Sequence, residues 1–499
     1  MDTFHINTAV SPQEVVDIVR HRKKIALHPE AAARIAACRA YLDKKLENNR
    51  EAIYGINTGF GALCNTVVAA DELEALQRNI VLSHACGTGR EVPADVVRTM
   101  LVLKIQNMAL GHSGVKTDTV ELLTELYNRD ILPVVYEMGS LGASGDLAPL
   151  AHLSLPLVGE GEVVHKGVRK PSAEALAAEG LQPVVLGAKE GLALLNGTQF
   201  MTGYGNQCTV RALELWEKSI AVAALSLEGY NGRKDAFLPS IHRVRAHEGQ
   251  LATAARMREW IEGSRIIEAG ENKDVQDPYS FRCLPQVLGS SYDAIRFAHR
   301  NFSTENASVS DNPLIFPEED LIVSGGNFHG QPLALSLDML ALALAEIGSI
   351  SERRMYRLLA GKRGLPPFLA ENAGLHSGYM ILQYTTASIA SKNKQLCTPA
   401  TADSIESSNG QEDHVSMGAN AAVKCMEVLD NVERMLAFEL MTAARALEFR
   451  DKSGQSRPLA KLLADFRRAL PHDPSDTYLH ADMEKALAFF RTLDIPAYL

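Results

Sequence analysis

Three long runs of apolar residues at helical spacing constrain the fold of this chain more than any other feature. Between Asn420 and Arg450, apolar residues recur in steps of three and four, with charged residues between them. This spacing places them on one face of a long amphipathic helix. Two further helices are predicted at Pro332–Leu359 and Thr209–Gly232, the second ending at Gly229 and Asn231-Gly232. The chain is therefore predicted to be mainly α-helical, with several long helices packed together.

Strand signals are few and short. Glu162–Lys170 predicts a small hairpin that turns at Lys166-Gly167. Strands and helices do not alternate along the chain, which argues against a doubly wound parallel sheet. No repeat of fixed period and no low-complexity linker divides the sequence. The strands are therefore expected to be accessories on a helical frame.

Charge and cysteine usage exclude several classes of protein. The formal net charge is −10, and such a field repels nucleic acid and anionic membrane surfaces. The first ten residues lack the features of a signal peptide, and apolar stretches such as Ser219–Tyr230 are shorter than a membrane span. Seven scattered cysteines without a CxxC pair indicate reduced thiols rather than disulfides or a zinc site. We therefore expect a cytoplasmic protein.

Glycine-rich, polar stretches interrupt the helices, and the most unusual is "GSLGASGDLAPLAH", Gly139–His152. No lysine follows the glycines as a P-loop requires. A hydrolase nucleophile elbow around Ser144 would need a glycine where this chain has Asp146. One remaining interpretation is a turn leading into a helix at Asp146–Leu155, with Asp146 as the N-cap. The other is a turn that reacts chemically.

A sharp bend in Ala-Ser-Gly can bring the Gly145 amide nitrogen onto the Ala143 carbonyl carbon. Ring closure with loss of water, together with dehydration of Ser144, yields a five-membered ring that carries an exocyclic methylene. Small flanking residues permit such a bend because glycine accepts backbone angles that other residues avoid. The product is an electrophile, which no ordinary side chain supplies.

This stretch resembles the signature of the aromatic amino-acid ammonia-lyase family, whose Ala-Ser-Gly becomes 4-methylideneimidazol-5-one (MIO). The resemblance extends from "YGINTGFG" at Tyr54 to "QEDHVSMG" at Gln411. It implies the fumarase/aspartase-like superfamily, mainly α, with a long central helical bundle. The expected division is an N-terminal domain, residues 1–200, that carries the MIO loop, and residues 201–499 for the bundle and C-terminal helices. MIO from Ala143-Ser144-Gly145 is the implied cofactor, with no metal and no diffusible cofactor.

Within this family, the pocket for the substrate side chain decides the substrate. Ser83-His84 in "VLSHACG" and Glu412 in "NGQEDHVSMG" resemble the members that act on histidine, where these positions hold the imidazole. Glu412 is also a candidate catalytic residue that assists proton transfer, and the sequence does not separate the two roles. A site that hydrogen-bonds a ring N–H rejects phenylalanine because its own polar groups would be left unpaired. The resemblance therefore implies elimination of ammonia from L-histidine to give trans-urocanate. Gln331, where such members more often carry an acid, and Lys392, in a run that usually reads Ser-Glu-Asn-Lys, depart from the pattern.

The resemblance also implies roles for other residues. Tyr54 is similar to the catalytic base that removes the β-proton. The pKa of a free tyrosine is about 10, so a nearby cation or hydrogen-bond donor is needed to lower it. Arg282 would pair with the substrate carboxylate in a fork geometry. The positions that match the family's MIO-proximal, catalytic and substrate-binding residues are Asn196, Gln276, Tyr279 and Phe328.

Two alternatives to this function remain open from the sequence. A phenylalanine or tyrosine ammonia-lyase, or an aminomutase, would use the same MIO loop with a different pocket. A non-enzymatic helical scaffold would leave Ala143-Ser144-Gly145 uncyclised. The family further implies a homotetramer in which each active site draws loops from more than one subunit, and the nearly all-apolar Pro332–Ile347 is consistent with burial in such an assembly.

Overall fold

Helices dominate the described part of the chain, as predicted. The computed structural model describes residues 3–48, 53–59, 61–63, 66–268 and 274–499. The helices are α1 Pro12–Arg20, α2 Pro29–Asn48, α3 Leu73–His84, α4 Ala94–Ala109, α5 Thr117–Asn128, α6 Leu147–Ser154, α7 Ser172–Ala178, α8 Glu190–Leu195, α9 Gln199–Tyr230, α10 Pro239–Arg243, α11 Glu248–Ile261, α12 Arg265–Glu268, α13 Tyr279–Arg282, α14 Leu284–Asn306, α15 Gln331–Leu359, α16 Met380–Leu396, α17 Gly418–Ala446, α18 Arg457–Ala469 and α19 Leu479–Thr492. This architecture confirms the mainly α prediction.

The strands form small, separate sheets of two or three strands. They are β1 Phe4–Ile6, β2 Ile25–Leu27, β3 Thr88–Glu91, β4 Ile131–Pro133, β5 Tyr136–Met138, β6 Glu162–His165, β7 Val168–Pro171, β8 Leu314–Phe316 and β9 Leu321–Val323. Strands β6 and β7 pair antiparallel, with His165 opposite Val168. Lys166 and Gly167 between them have φ of 51° and 75°, the positive angles that a two-residue hairpin turn requires. The hairpin predicted at this position is confirmed.

Two of the long helices match their predicted bounds closely, and the third extends further. Helices α15 and α17 begin and end within a few residues of the predicted runs. Helix α9 begins at Gln199 instead of Thr209. Its first turns contain Gly205, where a Cβ atom would lie 2.0 Å from Cε1 of the buried Phe302. Packing against Phe302 therefore requires a glycine that also weakens the helical signal in the sequence.

The described residues divide into two compact units, each built from separated segments. Unit 1 comprises Met1–Val210, Ala298–Asp338 and Pro399–Val423. Unit 2 comprises Arg211–Phe297, Met339–Thr398 and Lys424–Leu499. The sequence predicted two contiguous domains, residues 1–200 and 201–499. The compact units are not contiguous segments, so they do not test that division, and it stays a prediction.

In unit 1, three helices pack pairwise and bring distant segments together. Helices α3, α6 and α8 each contact the other two. His84 is the last residue of α3, the Gly139–Asp146 loop leads into α6, and Asn196 follows α8. Nearby, every residue of α4 from Val96 to Ala109 is buried. A buried frame therefore fixes three of the segments that carry candidate site residues.

In unit 2, a fully buried ion pair joins two of the long helices. Arg354 of α15 donates to Glu439 of α17 through Nη2, at 2.7 Å from Oε2, and through Nε. Neither side chain is exposed, and the Ser226 hydroxyl donates to the same carboxylate at 2.7 Å. Removing one partner would leave a buried charge uncompensated.

We predict that Glu439→Ala lowers the free energy of unfolding by about 3–5 kcal/mol because Arg354 would stay buried without a counter-charge. Thermal and denaturant unfolding of the purified protein measure this. Glu259→Ala is the matched control, because Glu259 pairs with Arg256 at 2.8 Å with both side chains well exposed. The control should change stability far less. Equal losses for the two variants would contradict the prediction.

Helix α15 meets the length and composition criteria for a membrane span, contrary to the expectation that the apolar stretches are too short. Its most apolar 18-residue window has a mean hydropathy of 1.8. Of that window, 67% is buried within the protein, and a buried core helix meets the same criteria. In the described residues this is the one helix that does so.

Candidate active site

The loop before α6 has an unusual backbone. Gly142, Ser144 and Gly145 have φ of 75°, 54° and 79°, and Gly142 pairs with Gly145 across the bend. Serine rarely adopts a positive φ, so the surrounding contacts must hold Ser144 in this conformation. Leu141 contributes one of them, because its carbonyl accepts a hydrogen bond from the Met417 amide at 3.0 Å. The reactive stretch is thus a tight, ordered turn.

A second segment of chain lies directly against this turn at Gly145. The Asp146 amide donates to the Gly197 carbonyl at 2.8 Å, and Gly145 bridges to Gly197. A Cβ atom on Gly145 would lie 2.0 Å from the Gly197 carbonyl oxygen. Only glycine fits this cradle. The geometry suits the ring closure that MIO formation requires, in which Gly145 supplies the nitrogen and its neighbours must allow a sharp bend.

Asp146 occupies the N-cap position of α6, as the sequence predicted, but its side chain does not cap that helix. Its side chain makes no capping hydrogen bond to α6, which begins at Leu147. Its carboxylate instead accepts from the amides of Phe200 and Met201, at 3.1 and 3.0 Å, in the first turn of α9. The free amides of that first turn attract a carboxylate. Ser140 also donates to it, while complete burial raises the pKa of Asp146 to about 7.

Ser144 and Glu412, 268 residues apart, are in direct contact. The Ser144 hydroxyl donates to Glu412 Oε1 at 3.2 Å. The other carboxylate oxygen accepts from the hydroxyls of Ser407 and Ser408, at 2.8 and 2.9 Å. Ser407 and Glu412 also pair through their backbones, which closes the turn between them. Glu412 is thereby held with one oxygen aimed at the reactive turn.

His84 lies within electrostatic reach of Glu412. Burial is the main influence on His84 and lowers its pKa, while the Ile80 carbonyl and the Glu412 charge act in the opposite direction. The Ser83 hydroxyl lies 3.0 Å from His84 Nδ1. The lowered pKa favours a neutral imidazole, which can offer one donor and one acceptor nitrogen. The Glu412 charge therefore acts on His84, while the joint role of the two groups in holding one ring stays a prediction.

Tyr54 is positioned by a buried neighbour and by the glycine that ends its motif. Ile56 belongs to an apolar cluster with Leu42 and Ile315. The Gly61 amide donates to the Tyr54 phenol oxygen at 3.3 Å, which is the kind of donor that a tyrosine base needs. The turn Gly61–Leu63 packs against Ser408–Gly410. The Tyr54 segment thus adjoins the segment that holds Glu412; Phe60, within its motif, lies outside the described residues.

Asn196 and Phe328 lie in loops of the same unit. Asn196 is buried, and its side-chain amide donates to the Asn312 carbonyl at 2.6 Å. Phe328 is half-buried, and the next residue, His329, reaches the His414 carbonyl with Nε2 at 3.2 Å. Unit 1 therefore carries Tyr54, His84, Ala143-Ser144-Gly145, Asn196, Phe328 and Glu412.

Three predicted residues belong to unit 2 and form a cluster of their own. Arg282 lies with its guanidinium carbon 4.4 Å from the centre of the Tyr279 ring, and its Nε donates to the Asp277 carbonyl at 3.0 Å. Gln276 and Arg282 line a pocket of about 290 Å³. Tyr279 is 70% exposed. This cluster presents a cation, an amide and a phenol at the surface of its unit.

The two departures from the family pattern have different environments. Lys392 forms an ion pair with Glu427 at 2.6 Å. Gln331 begins α15, and its buried Oε1 has no hydrogen-bond partner among the described residues.

In the part of the chain that the structure describes, no group of His, Cys, Asp and Glu side chains is arranged to hold a metal ion.

Sequence reasoning missed the residues that support the site. Ser407 and Ser408 stand just before the "NGQEDH" run, yet two serines in a loop carry no signal of a brace for Glu412. Gly197 follows Asn196 in a matched motif, and only its contact with Gly145 shows its importance. Lys104 lies in α4, whose residues from Val96 to Ala109 are all buried, and donates to the Asn196 carbonyl at 2.6 Å. A buried lysine in such a helix was the one available clue.

Comparison with known proteins identifies the family of this chain. The family model described as aromatic amino acid lyase matches residues 10–468, and the chain belongs to that family. A histidine ammonia-lyase of Stigmatella aurantiaca is 46% identical over 473 residues, which cover 94% of this chain and 92% of the relative. A crystal structure of histidine ammonia-lyase from Trypanosoma cruzi aligns with a TM-score of 0.92 at 37% identity, covering 99% of this chain and 94% of that one.

The fold alone does not select the substrate. Tyrosine aminomutase from Streptomyces globisporus aligns equally well, with a TM-score of 0.93 at 34% identity over 98% of this chain and 97% of its own. The substrate must therefore be argued from the pocket residues.

Proposed function

We propose that this chain is a histidine ammonia-lyase, which eliminates ammonia from L-histidine to give trans-urocanate. The observation that carries the proposal is the contact of Ser144 with Glu412, at 3.2 Å, in a site where Glu412 also acts electrostatically on His84. The turn proposed to form the cofactor is thus in contact with Glu412, and the charge of Glu412 acts on the second group proposed to hold the imidazole. The full-length similarity to histidine ammonia-lyases supports the same substrate.

The cofactor in this proposal is MIO formed from Ala143, Ser144 and Gly145, with no metal or diffusible cofactor. When formed, it supplies an electrophilic carbon that lets the amino group of the substrate depart. The backbone fits this group, because Ser144 has a positive φ and Gly145 lies in a cradle that excludes a Cβ atom.

The remaining chemistry belongs to side chains. His84 and Glu412 hold the imidazole, which keeps the substrate β-carbon in productive range. Tyr54 takes the β-proton, aided by the amide of Gly61 that donates to its oxygen. Arg282 pairs with the substrate carboxylate. As the family resemblance implies, we assign substrate binding to Asn196, Gln276 and Phe328, and a catalytic role to Tyr279.

Direct assay tests the substrate. Purified protein is expected to release urocanate from L-histidine, and to form cinnamate from phenylalanine or coumarate from tyrosine far more slowly, because His84 and Glu412 would lose their partners. If no urocanate forms but cinnamate or coumarate does, the substrate is phenylalanine or tyrosine and not histidine. Intact-protein mass adds a second reading, since an MIO-bearing chain weighs two waters less than its sequence.

We further propose that the protein is a cytoplasmic homotetramer whose sites combine segments of different subunits. Exposure of Tyr279 beside Arg282 supports this, because a catalytic phenol in a finished site should be shielded from bulk water. Closed symmetric oligomers are the usual form of such assemblies.

Mixed oligomers test the shared site. We expect Ser144→Ala and Tyr279→Phe proteins to be nearly inactive alone, whereas co-expression of the two should restore activity. Random mixing leaves about a quarter of the sites with both residues intact if two subunits supply them. The urocanate assay on co-purified mixtures measures the recovery. Activity no higher than the sum of the two separate variants would contradict a shared site.

A further inference from the structure

Two fully buried lysines lie in unit 1, and they differ in the groups that their ammonium ions bind. Lys189 forms an ion pair with Asp311 at 2.6 Å, and neither side chain is exposed. Lys104, also fully buried, directs its ammonium at neutral groups. It donates to the Asn196 carbonyl at 2.6 Å and more weakly to the Gln199 side-chain oxygen at 3.4 Å. Burial of a lysine without a directly bonded carboxylate is costly, so its contacts require an explanation.

The acceptors of Lys104 belong to the turn that cradles the reactive loop. Asn196 ends α8, Gln199 begins α9, and Gly197 lies between them. Gly197 accepts from the Asp146 amide at 2.8 Å, and its own amide points at the Ser144 carbonyl at 3.5 Å. A shift of this turn would therefore move the backbone on both sides of Gly145.

The charges around Lys104 fit the same role. Burial lowers the pKa of Lys104 to about 7, with Asp311 and Asp146 raising it and Lys189 lowering it. Asp146, whose amide and carboxylate both contact the turn or the start of α9, is the acid that directly adjoins the reactive loop. Lys104 thus combines a short hydrogen bond to the cradle with attraction to the residue next to Gly145.

We propose that Lys104 is a positioning residue for formation of the MIO group: it holds the Asn196–Gln199 turn against Ser144–Asp146 so that the reactive turn closes. This proposal rests on the proposed function, because it concerns how the cofactor of that function arises. Lys104 acts through the Asn196 carbonyl and does not itself touch the reacting atoms. Its loss should therefore reduce the number of sites that mature, while each matured site works normally.

The experiment compares the intact masses of full-length wild-type, Lys104→Met and Lys218→Met proteins. Lys218 is the matched control, because it is buried and donates to the carbonyls of Phe490 and Arg491, at 3.0 and 3.1 Å, in unit 2. Wild type and Lys218→Met should be two waters lighter than their sequences. Lys104→Met should retain a major species at full sequence mass. Its kcat should fall in proportion to the matured fraction, with KM unchanged.

Both methionine variants lose a buried lysine. Thermal unfolding and circular dichroism of the two therefore show whether incomplete maturation of Lys104→Met comes from lost positioning or from general destabilisation. If Lys104→Met is insoluble, Lys104→Gln, which keeps an N–H donor, is read in the same way and should mature incompletely. Complete loss of two waters with wild-type kcat in a soluble Lys104 variant would overturn the proposal. A wild-type protein at full sequence mass would instead overturn the proposed function, so the two failures are distinguishable.

Discussion

Ser144→Ala is expected to lower kcat/KM for L-histidine by roughly 10³-fold or more, the scale of losing a group that forms a covalent intermediate. Alanine has no hydroxyl to lose, so the electrophilic carbon cannot form. The fold should survive, because the Ser144 hydroxyl makes one hydrogen bond, to Glu412 at 3.2 Å. Two measurements check this result: the urocanate assay, and intact mass, which should equal that of the unmodified variant sequence.

Ser290→Ala is the matched control for this substitution. Ser290 is exposed on α14, and its hydroxyl donates within the helix to the Gln286 carbonyl at 2.9 Å. The control should keep full activity and the mass deficit of two waters. Substantial urocanate formation by Ser144→Ala would refute the MIO-dependent mechanism. Such activity would exclude the non-enzymatic interpretation, because the protein would be an enzyme, and the MIO-dependent one, because the variant cannot form MIO.

Glu412→Gln is expected to lower kcat/KM for L-histidine by about 10²–10⁴-fold, the usual range for a residue that handles a proton or fixes the reacting group. The amide keeps the shape of the carboxylate but removes the charge that acts on His84. Ser407 and Ser408 can still donate to its oxygen, so the loop should keep its turn. Loss of activity should therefore come from the imidazole pocket.

The mass of Glu412→Gln distinguishes it from Ser144→Ala. We expect Glu412→Gln to mature and weigh two waters less than its sequence, because Ser144 and Gly145 are unchanged. Asp413→Asn is the control, since Asp413 is the exposed neighbouring carboxylate in the same motif. It should keep wild-type kinetics. A Glu412→Gln enzyme within about tenfold of wild type would remove Glu412 from the catalytic set, since a proton-handling residue contributes more than this.

Much of the fold was predictable because periodicity survives in isolated segments of sequence. The apolar stripes of α15 and α17 reflect burial on one side of a regular helix, and that pattern does not depend on the partner. The start of α9 was not predictable. Gly205 there lowers helix propensity and is explained by the approach of Phe302, a residue about a hundred positions away in the chain.

The site shows the same division. The motifs around Tyr54, Ser144 and Glu412 indicate chemistry because their residue types and spacing are unusual for loops. The N-cap position of Asp146 was predictable because capping is a local rule, but the partners of its carboxylate, the amides at the start of α9, were not. Gln331 stood out in the sequence as a departure from the family pattern, but its unpartnered oxygen is seen only in the structure.

The sequence by itself determined the helical class, the hairpin at Lys166-Gly167 and the stretch able to become an electrophile, since each depends on neighbouring residues along the chain. Only the tertiary structure decided that Glu412 meets Ser144, that Gly197 cradles Gly145, and that a buried lysine, Lys104, holds that cradle. Those contacts join residues far apart in sequence. Packing of the helices brings these loops together, and the local sequence pattern does not show which loops will meet.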